Sequence, residues 1–416
     1  MAPKTRVTRV DSLVDPSFMS LPHKRLTLPD LCDDVLLLIC DFLNHQNHDQ
    51  TPWKQLSLTN HRLRGLLVPQ LFKTLLVIAP LKALDTDALR PHLHHARTLK
   101  VDMFGSLWWW CSGAYISSRD AIDLFTFIHS LPRLTRLEMR MMSRSLDLFS
   151  AAFSDASLLG SGFPGFNLRG LETLAVNSSA AFLVPHCPDL QKLVVKGKGD
   201  GEDCAMEKYT DLKSLFENAP CPSLPGNADS LFRCARGLRT FDASAAWSLA
   251  ELTFLTTTFP NIRHLVLRSE SYCYRSDVAS IMRTLGQGCK QLETLQISKI
   301  QYLDVGYRAV WKRAVMECKT EEARRTIWKA NEMRRVTAEN KVARLAFEGV
   351  QALEELWVGD KRVARRLPRT MDQRGRECWM WERRIDDIPD AALLGTKWAE
   401  YRKEKEAVVA TREMGM

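Results

Sequence analysis

One phrase recurs along this chain and constrains its fold more than any other feature: a leucine, two polar residues, a second leucine, then a short alternating stretch. It stands as Leu134-Thr-Arg-Leu137-Glu-Met, Leu171-Glu-Thr-Leu174-Ala-Val and Leu190-Gln-Lys-Leu193-Val-Val. It returns as Leu238-Arg-Thr-Phe241-Asp-Ala, Ile262-Arg-His-Leu265-Val-Leu, Leu292-Glu-Thr-Leu295-Gln-Ile and Leu353-Glu-Glu-Leu356-Trp-Val, with a fainter copy at Arg97-Thr-Leu99-Lys-Val. Leu131-Pro132, Cys187-Pro188, Phe259-Pro260 and Gly288-Cys289 precede several copies, and proline or glycine there ends one element so that a strand can begin. Alternation at period two marks a strand with one buried face. Each phrase therefore predicts a short strand preceded by a turn and followed by a helix. One such unit cannot bury its apolar side alone, whereas a stack of them can.

The phrase resembles a leucine-rich repeat. The resemblance implies an α/β solenoid with these strands on its concave wall. Successive second anchors are 37, 19, 48, 24, 30 and 61 residues apart, whereas regular repeats of that kind run at about 20–29. The asparagine or cysteine ladder position is missing from most copies. Divergent repeats with long insertions account for this, and so does an ordinary α/β domain rich in Leu-x-x-Leu strands.

The stretch Leu31–Leu75 reads differently, as three short amphipathic helices. Asp33 and Asp34 suit a helix start, because short carboxylates accept free backbone N–H groups and favour the positive end of the dipole. Val35, Leu36, Ile39, Phe42 and Leu43 make one apolar stripe and predict a helix over about Asp33 to Leu43, with Leu37 and Leu38 widening the stripe. His45 and His48 then fall in a polar linker. Thr51-Pro52 restarts a helix, Leu56, Leu58, Leu63, Leu66 and Leu67 supply its apolar side, and Pro69 should kink or stop the third helix. So small a unit has too little interior for all these leucines, and should pack on the rest of the chain, on a partner, or on both.

Leu31 followed by Asp34-Val35-Leu36, Ile39 and Phe42-Leu43, then Leu56-Ser57-Leu58 with Arg62-Leu63-Arg64, then Pro69-Gln-Leu71-Phe72, resembles an F-box. The resemblance implies docking on the small adaptor subunit of a cullin-based ubiquitin ligase. Leu31, Cys32, Val35, Leu36, Ile39 and Leu43 would face the adaptor, and Leu56, Leu58 and Leu63 would support or extend that surface. Cys32 stands where the family usually has proline, and Leu28-Pro29 offers that dipeptide three residues earlier. The residues alone leave a second reading open, a helical hairpin that caps the fold.

At 416 residues the chain has material for two or three domains. No apolar run reaches the eighteen or so residues needed to span a bilayer, and the first residues hold no apolar core before a cleavage site, so neither a membrane span nor a secretory signal is expected. Eleven cysteines without a Cys-x-x-Cys pair predict reduced thiols in a cytoplasmic or nuclear protein, and Cys187, Cys204, Cys221 and Cys234 are too irregularly spaced for zinc. The formal charge of +9 is uneven. Residues 1–100 carry 13 Lys and Arg against 9 Asp and Glu, residues 101–300 carry 20 against 20, and residues 301–416 carry 25 against 20. The neutral middle argues against a nucleic-acid groove.

Several insertions interrupt the repeats. Trp108-Trp109-Trp110 lies before a helix expected at about Asp120–Ser130, and either plugs the solenoid or presents a ring to a partner. The segment 197–203 reads as a solvated turn. Between Asp304 and Phe347, dense charge and a stripe of Val310, Trp311, Ala314, Val315 and Cys318 predict one long helix or a helical pair. Arg324, Arg325, Lys329, Arg334 and Arg335 should form its solvated basic face. Lys361-Arg362 with Arg365-Arg366 resembles a nuclear-import patch. Trp379, Trp381 and Trp398 mark a tail that could fold back as a cap.

There is no Gly-x-Ser-x-Gly, His-Glu-x-x-His or phosphate-binding Gly-Lys-Ser/Thr loop. His92, His94 and His95 lack a neighbouring carboxylate or cysteine to complete a metal shell. The expectation is an α/β chain without catalysis, cofactor or metal. It comprises a disordered tail at 1–25, an F-box-like helical module at 26–80, a divergent leucine-rich-repeat solenoid at 84–360 with a helical insertion at 304–347, and a basic, Trp-containing cap at 361–416. By the resemblance it is a substrate receptor, joined to the cullin through the adaptor and to a target protein through the repeats. The alternative is a scaffold whose N-terminal helices only cap the fold.

Overall fold

The computed structural model describes residues 30–47, 51–78, 89–103, 117–141, 146–154, 168–196, 237–245, 247–269, 277–308, 317–359, 362–371 and 377–382. The N-terminal tail, Leu28-Pro29, His48, residues 108–110, the turn at 197–203, Cys204, Cys221, Cys234, the stripe at 310–315 and Trp398 lie outside them. The chain divides into two units, Met1–Leu71 and Phe72–Met416.

The first unit holds α1 (Asp33–Asn47), α2 (Thr51–Thr59) and α3 (His61–Leu71). Helix α1 runs one turn beyond the expected Leu43, so His45 belongs to it and not to a linker. Helix α3 continues through Pro69 to Leu71 instead of stopping there. Cys40, Trp53 and Leu67 form the interior, with Leu56 and Leu71 packed against it. The Trp53 indole N–H donates to the Cys40 carbonyl at 2.7 Å, which satisfies a buried donor while its ring fills the interior. Arg62, at the start of α3, donates to the Leu31 carbonyl at 3.0 Å and pairs with Asp33, tying α3 to the entry of α1.

Among its described residues the second unit holds one eleven-stranded sheet whose strands lie in sequence order. They are β1 (Thr74–Ile78), β2 (Thr98–Asp102), β3 (Arg136–Arg140), β4 (Thr173–Asn177), β5 (Lys192–Lys196), β6 (Thr240–Ser244), β7 (His264–Arg268), β8 (Thr294–Ile297), β9 (Glu355–Val358), β10 (Arg362–Met371) and β11 (Glu377–Glu382). The first nine run parallel. Residues 74–78, expected at the end of the helical module, are instead the first strand of this sheet.

The repeat that loses its period in sequence is regular in register. Leu75, Leu99, Leu137, Leu174, Leu193, Phe241, Leu265, Leu295 and Leu356 are paired strand to strand in one unbroken column. Two residues on, Val77, Val101, Met139, Val176, Val195, Ala243, Leu267, Ile297 and Val358 make a second column, as period-two side-chain alternation requires. Both columns face the core. The turns repeat too. The N–H of Leu134, Leu171, Leu190, Ile262, Leu292 and Leu353 each donates to the carbonyl three residues back, at Leu131, Leu168, Cys187, Phe259, Cys289 and Val350. Those six are buried and form a third apolar position per coil. At each junction one carbonyl accepts two consecutive N–H groups of the next coil, as Arg97 does from Thr135 and Arg136, and Arg263 from Glu293 and Thr294. Backbone pairing thus sets the stacking, and the connection between strands can vary in length at small entropic cost.

Helices cover the core side, and their starts are capped as their sequences require. These are α4 (Ser118–His129), α5 (Leu146–Ser154), α6 (Leu249–Thr258), α7 (Val278–Gly288) and α8 (Glu321–Gly349). Ser117 with Asp120, and Ser248 with Glu251, form reciprocal capping boxes, while Asp277 and Thr320 accept from the N–H three residues on. Between β4 and β5, only 19 residues apart at their anchors, a 3-10 segment over Ser178–His186 replaces the helix.

In the C-terminal part the described residues of the insertion hold one helix of 29 residues beginning at Glu321, which Cys318 precedes. Arg335 is not on a solvated face: it is buried between Glu332 and Glu339 on successive turns, and Arg362 reaches Glu332 from β10 at 3.4 Å. Two carboxylates and two guanidinium groups balance there, which is what permits their burial. Of the basic cluster, Arg362 to Arg366 lie in β10: Arg362 faces inward, Arg365 pairs outside with Glu355 and Glu382, and Arg366 donates to the carbonyls of Phe347, Val350 and Leu353 at the C-terminus of α8. The sheet crosses the boundary expected at 360, with β10 and β11 added antiparallel. Trp381 donates to Asn340 at 2.8 Å and Trp379 stacks on Phe347 at 6.0 Å, so both rings cover α8.

Candidate docking surfaces

The nine residues expected to face an adaptor are divided by the fold. Leu36 and Leu63 are interior, each 1% exposed, and Leu56 packs against the Cys40–Trp53–Leu67 cluster. Leu31 and Ile39 are half-buried and Cys32 is exposed. Val35 and Leu58 are exposed, Leu58 by 74%. Leu43 lies in α1, and its side chain is outside the described residues. Two residues absent from the expected set belong on the surface: Leu38, 68% exposed, and Phe42, 62% exposed. Val35, Leu38 and Phe42 follow three- and four-residue spacing, hence one face of α1. The signal was in the sequence, because a helix apolar on more than one side has more leucine than its own interior uses.

The second surface is the outward face of the sheet, made by the alternate residues that flank the two buried columns. Its central row runs Lys100, Glu138, Ala175, Val194, Asp242, Val266, Gln296 and Trp357. Ion pairs cross it: Arg140 to Asp102 at 3.5 Å, Arg268 to Asp242 at 3.0 Å, and Lys196 to Glu138. The last spans from β5 to β3, over β4, where the small Ala175 stands beside Glu138. Burial raises the Glu138 carboxyl, but the hydrogen bond from Lys196 and the charges of Lys196, Lys100 and Arg136 outweigh it and hold the group below the ordinary carboxylate range.

Two clefts carry no reactive constellation. One, about 510 Å³, lies at the strand entries and is lined by Asp189, Gln191, Arg239, Asn261, Arg263 and Gln291. The other, about 480 Å³, lies between α7 and α8 and includes Cys289, whose thiol burial pushes up to about 11 and so keeps protonated. Of the histidines, His92 stacks on Phe72 at 4.5 Å, and His94 and His95 lie 3.7 Å apart between ring centroids. Among the described residues no three His, Cys, Asp or Glu side chains gather as metal ligands. No helix among them is long and apolar enough to cross a membrane.

No family model matches this chain, and no curated protein matches it. Among solved structures it is similar to LegL7, a leucine-rich repeat-containing protein from Legionella pneumophila, at 13% identity over 80% of this chain and 98% of that one, with a TM-score of 0.25. A likeness of that size carries no argument, and the repeat architecture rests on the register of the sheet.

Proposed function

We propose that this chain is a non-catalytic recognition subunit, a substrate receptor of a cullin-based ubiquitin ligase. Its N-terminal helices would hold the ligase adaptor, and the outward face of its sheet would hold a target. Its contribution is proximity, which converts a bimolecular encounter into one at high effective concentration. The observation that carries this reading is the division of α1: Leu36 and Cys40 serve the interior, while Val35, Leu38 and Phe42 stay outside on one face. The resemblance of the same stretch to an F-box supplies the identity of the partner. A scaffold without a ligase role is the alternative, supported by the same sheet.

Co-purification of the full chain with the adaptor separates the two. Leu38→Glu with Phe42→Glu should abolish adaptor binding and leave the melting curve in place, because both side chains are exposed. Leu36 is unsuited to this test, since a charge at an interior position unfolds the module whichever reading holds. A truncation should begin at Phe72, since removing residues to 84 would take β1 from the sheet. A folded full-length chain that ignores the adaptor leaves the scaffold.

A further inference from the structure

We propose that the outward face of β2 to β5 binds an acidic segment of the target protein, rich in aspartate and glutamate. The proposal rests on the reading above, in that the sheet presents its outer face to a target. Over residues 101–300 positive and negative charges cancel, yet the outward face of β2 to β5, which Lys100 joins from just before that span, carries a surplus of cations. The outward positions of β2, β3 and β5 carry Lys100, Arg136, Arg140, Lys192 and Lys196 against only Asp102 and Glu138. Asp102 is taken by Arg140 and Glu138 by Lys196. Lys100, Arg136 and Lys192 are exposed and make no ion pair among the described residues. The strands from β6 to β9 hold no such surplus: their outward charges are Asp242, Arg268 and Glu355, and Asp242 and Arg268 neutralise each other in a two-pronged contact.

The surplus is spread, and that decides what fits. With strands ~4.8 Å apart, β2 to β5 spans about 14 Å, the length of four or so residues of extended peptide. A carboxylate at alternate positions of such a segment can reach a different cation each time. Nucleic acid fits less well. Among the described residues the face of β2 to β5 offers no aromatic ring for a base to stack on, and Asp102 and Glu138 stand on it as like charges to a phosphodiester. Glu138 already occupies part of the positive field, so an acidic segment competes with it.

The test uses the full chain and a fluorescein-labelled polyglutamate peptide roughly ten residues long, ample for four strands. A Gly-Ser peptide and oligothymidylate of equal length serve as comparisons, with anisotropy as the readout. Polyglutamate should bind with an affinity that falls as salt rises. Lys100→Glu with Arg136→Glu should weaken binding by about tenfold or more, while Lys341→Glu with Arg344→Glu, an equal charge change on exposed positions of α8, should leave it unchanged. Glu138→Gln should tighten it. Equal losses from both charge-reversed pairs would overturn the proposal, as would oligothymidylate binding at least as tightly through Lys100 and Arg136. Adaptor co-purification from the same preparation keeps the readings apart. Adaptor binding without polyglutamate binding sinks the acidic target alone, and the converse sinks the ligase role alone.

Discussion

The Asn177 side chain closes on the backbone of Met141, accepting from its N–H at 3.2 Å and donating to its carbonyl at 2.6 Å. Both residues are buried. Ser298 does the same for Ser269, accepting at 2.6 Å and donating at 2.9 Å. Asn177 follows Val176 and Ser298 follows Ile297, so the two occupy the same place in their coils, one residue beyond the second buried column. Each satisfies the backbone of the preceding coil where its strand has ended.

Asn177→Leu keeps the volume and strips both hydrogen bonds, leaving a buried N–H and a buried carbonyl unpaired. The expected loss is about 2–4 kcal/mol, read as a lowered midpoint in urea. A variant within experimental scatter of the wild type would show that Met141 finds other partners.

Arg335 offers a sharper case. Arg335→Met leaves Glu332 and Glu339 facing each other in a buried site, with Arg362 serving only the first. Breaking one member of such a group costs about 3–5 kcal/mol. Replacing Glu339 with Gln in the same chain should restore a large part of that loss, because the buried carboxylate that faced Arg335 is then neutral. Thermal melts of the single and double variants measure both steps, and a double variant no better than the single would mean that the arginine acts through packing.

How much of this was legible beforehand differs between elements for physical reasons. The strand phrases declared themselves because each is a local contract between two leucines and a turn, and every second anchor from Leu99 to Leu356 takes its place in one column. The first strand escaped because phenylalanine, Phe72, stands at its earlier anchor and Pro69-Gln-Leu71-Phe72 reads as the end of the helical module. The ladder position of that repeat, three residues past the second column, is not what ties the coils; Asn177 and Ser298, one residue past it, do so instead. Arg335 was misplaced because period alone cannot distinguish a basic residue on a wet face from one that meets Glu332, Glu339 and a distant Arg362 inside. In the helical module, helix existence was readable. Which leucines stay outside depended on how α1 rotates against α2, which Trp53 and Cys40 decide.

Two glycines set the approach of α7 to α8. A methyl group added at Gly286 would stand 1.9 Å from the Gly349 carbonyl oxygen, and that neighbour is backbone with no side chain to swing away. Gly286→Ala must therefore push the helices apart or break the C-terminal turn of α8, at a cost of about 1–3 kcal/mol as for other overpacked sites. The loss should run against helix propensity, which alone favours alanine by ~1 kcal/mol. A stabilised variant in urea would mean that the two helices do not approach in this way.

Glu138 gives the pH dependence its sign. Its carboxyl is held below the ordinary range in the folded chain, so it contributes stability that is fully present above its unfolded value of about 4.3 and is lost as pH falls through the folded value. Lys196 is half exposed, which screens the pair and keeps the effect small. Glu138→Gln removes the titrating group and leaves the volume. The melting temperature of the wild type should therefore exceed that of the variant at about pH 7 and converge on it by about pH 3. If the gap between the two stays constant across that range, the carboxylate makes no net favourable contact with Lys196, Lys100 and Arg136. The cations on β2, β3 and β5 would then already be satisfied by water alone.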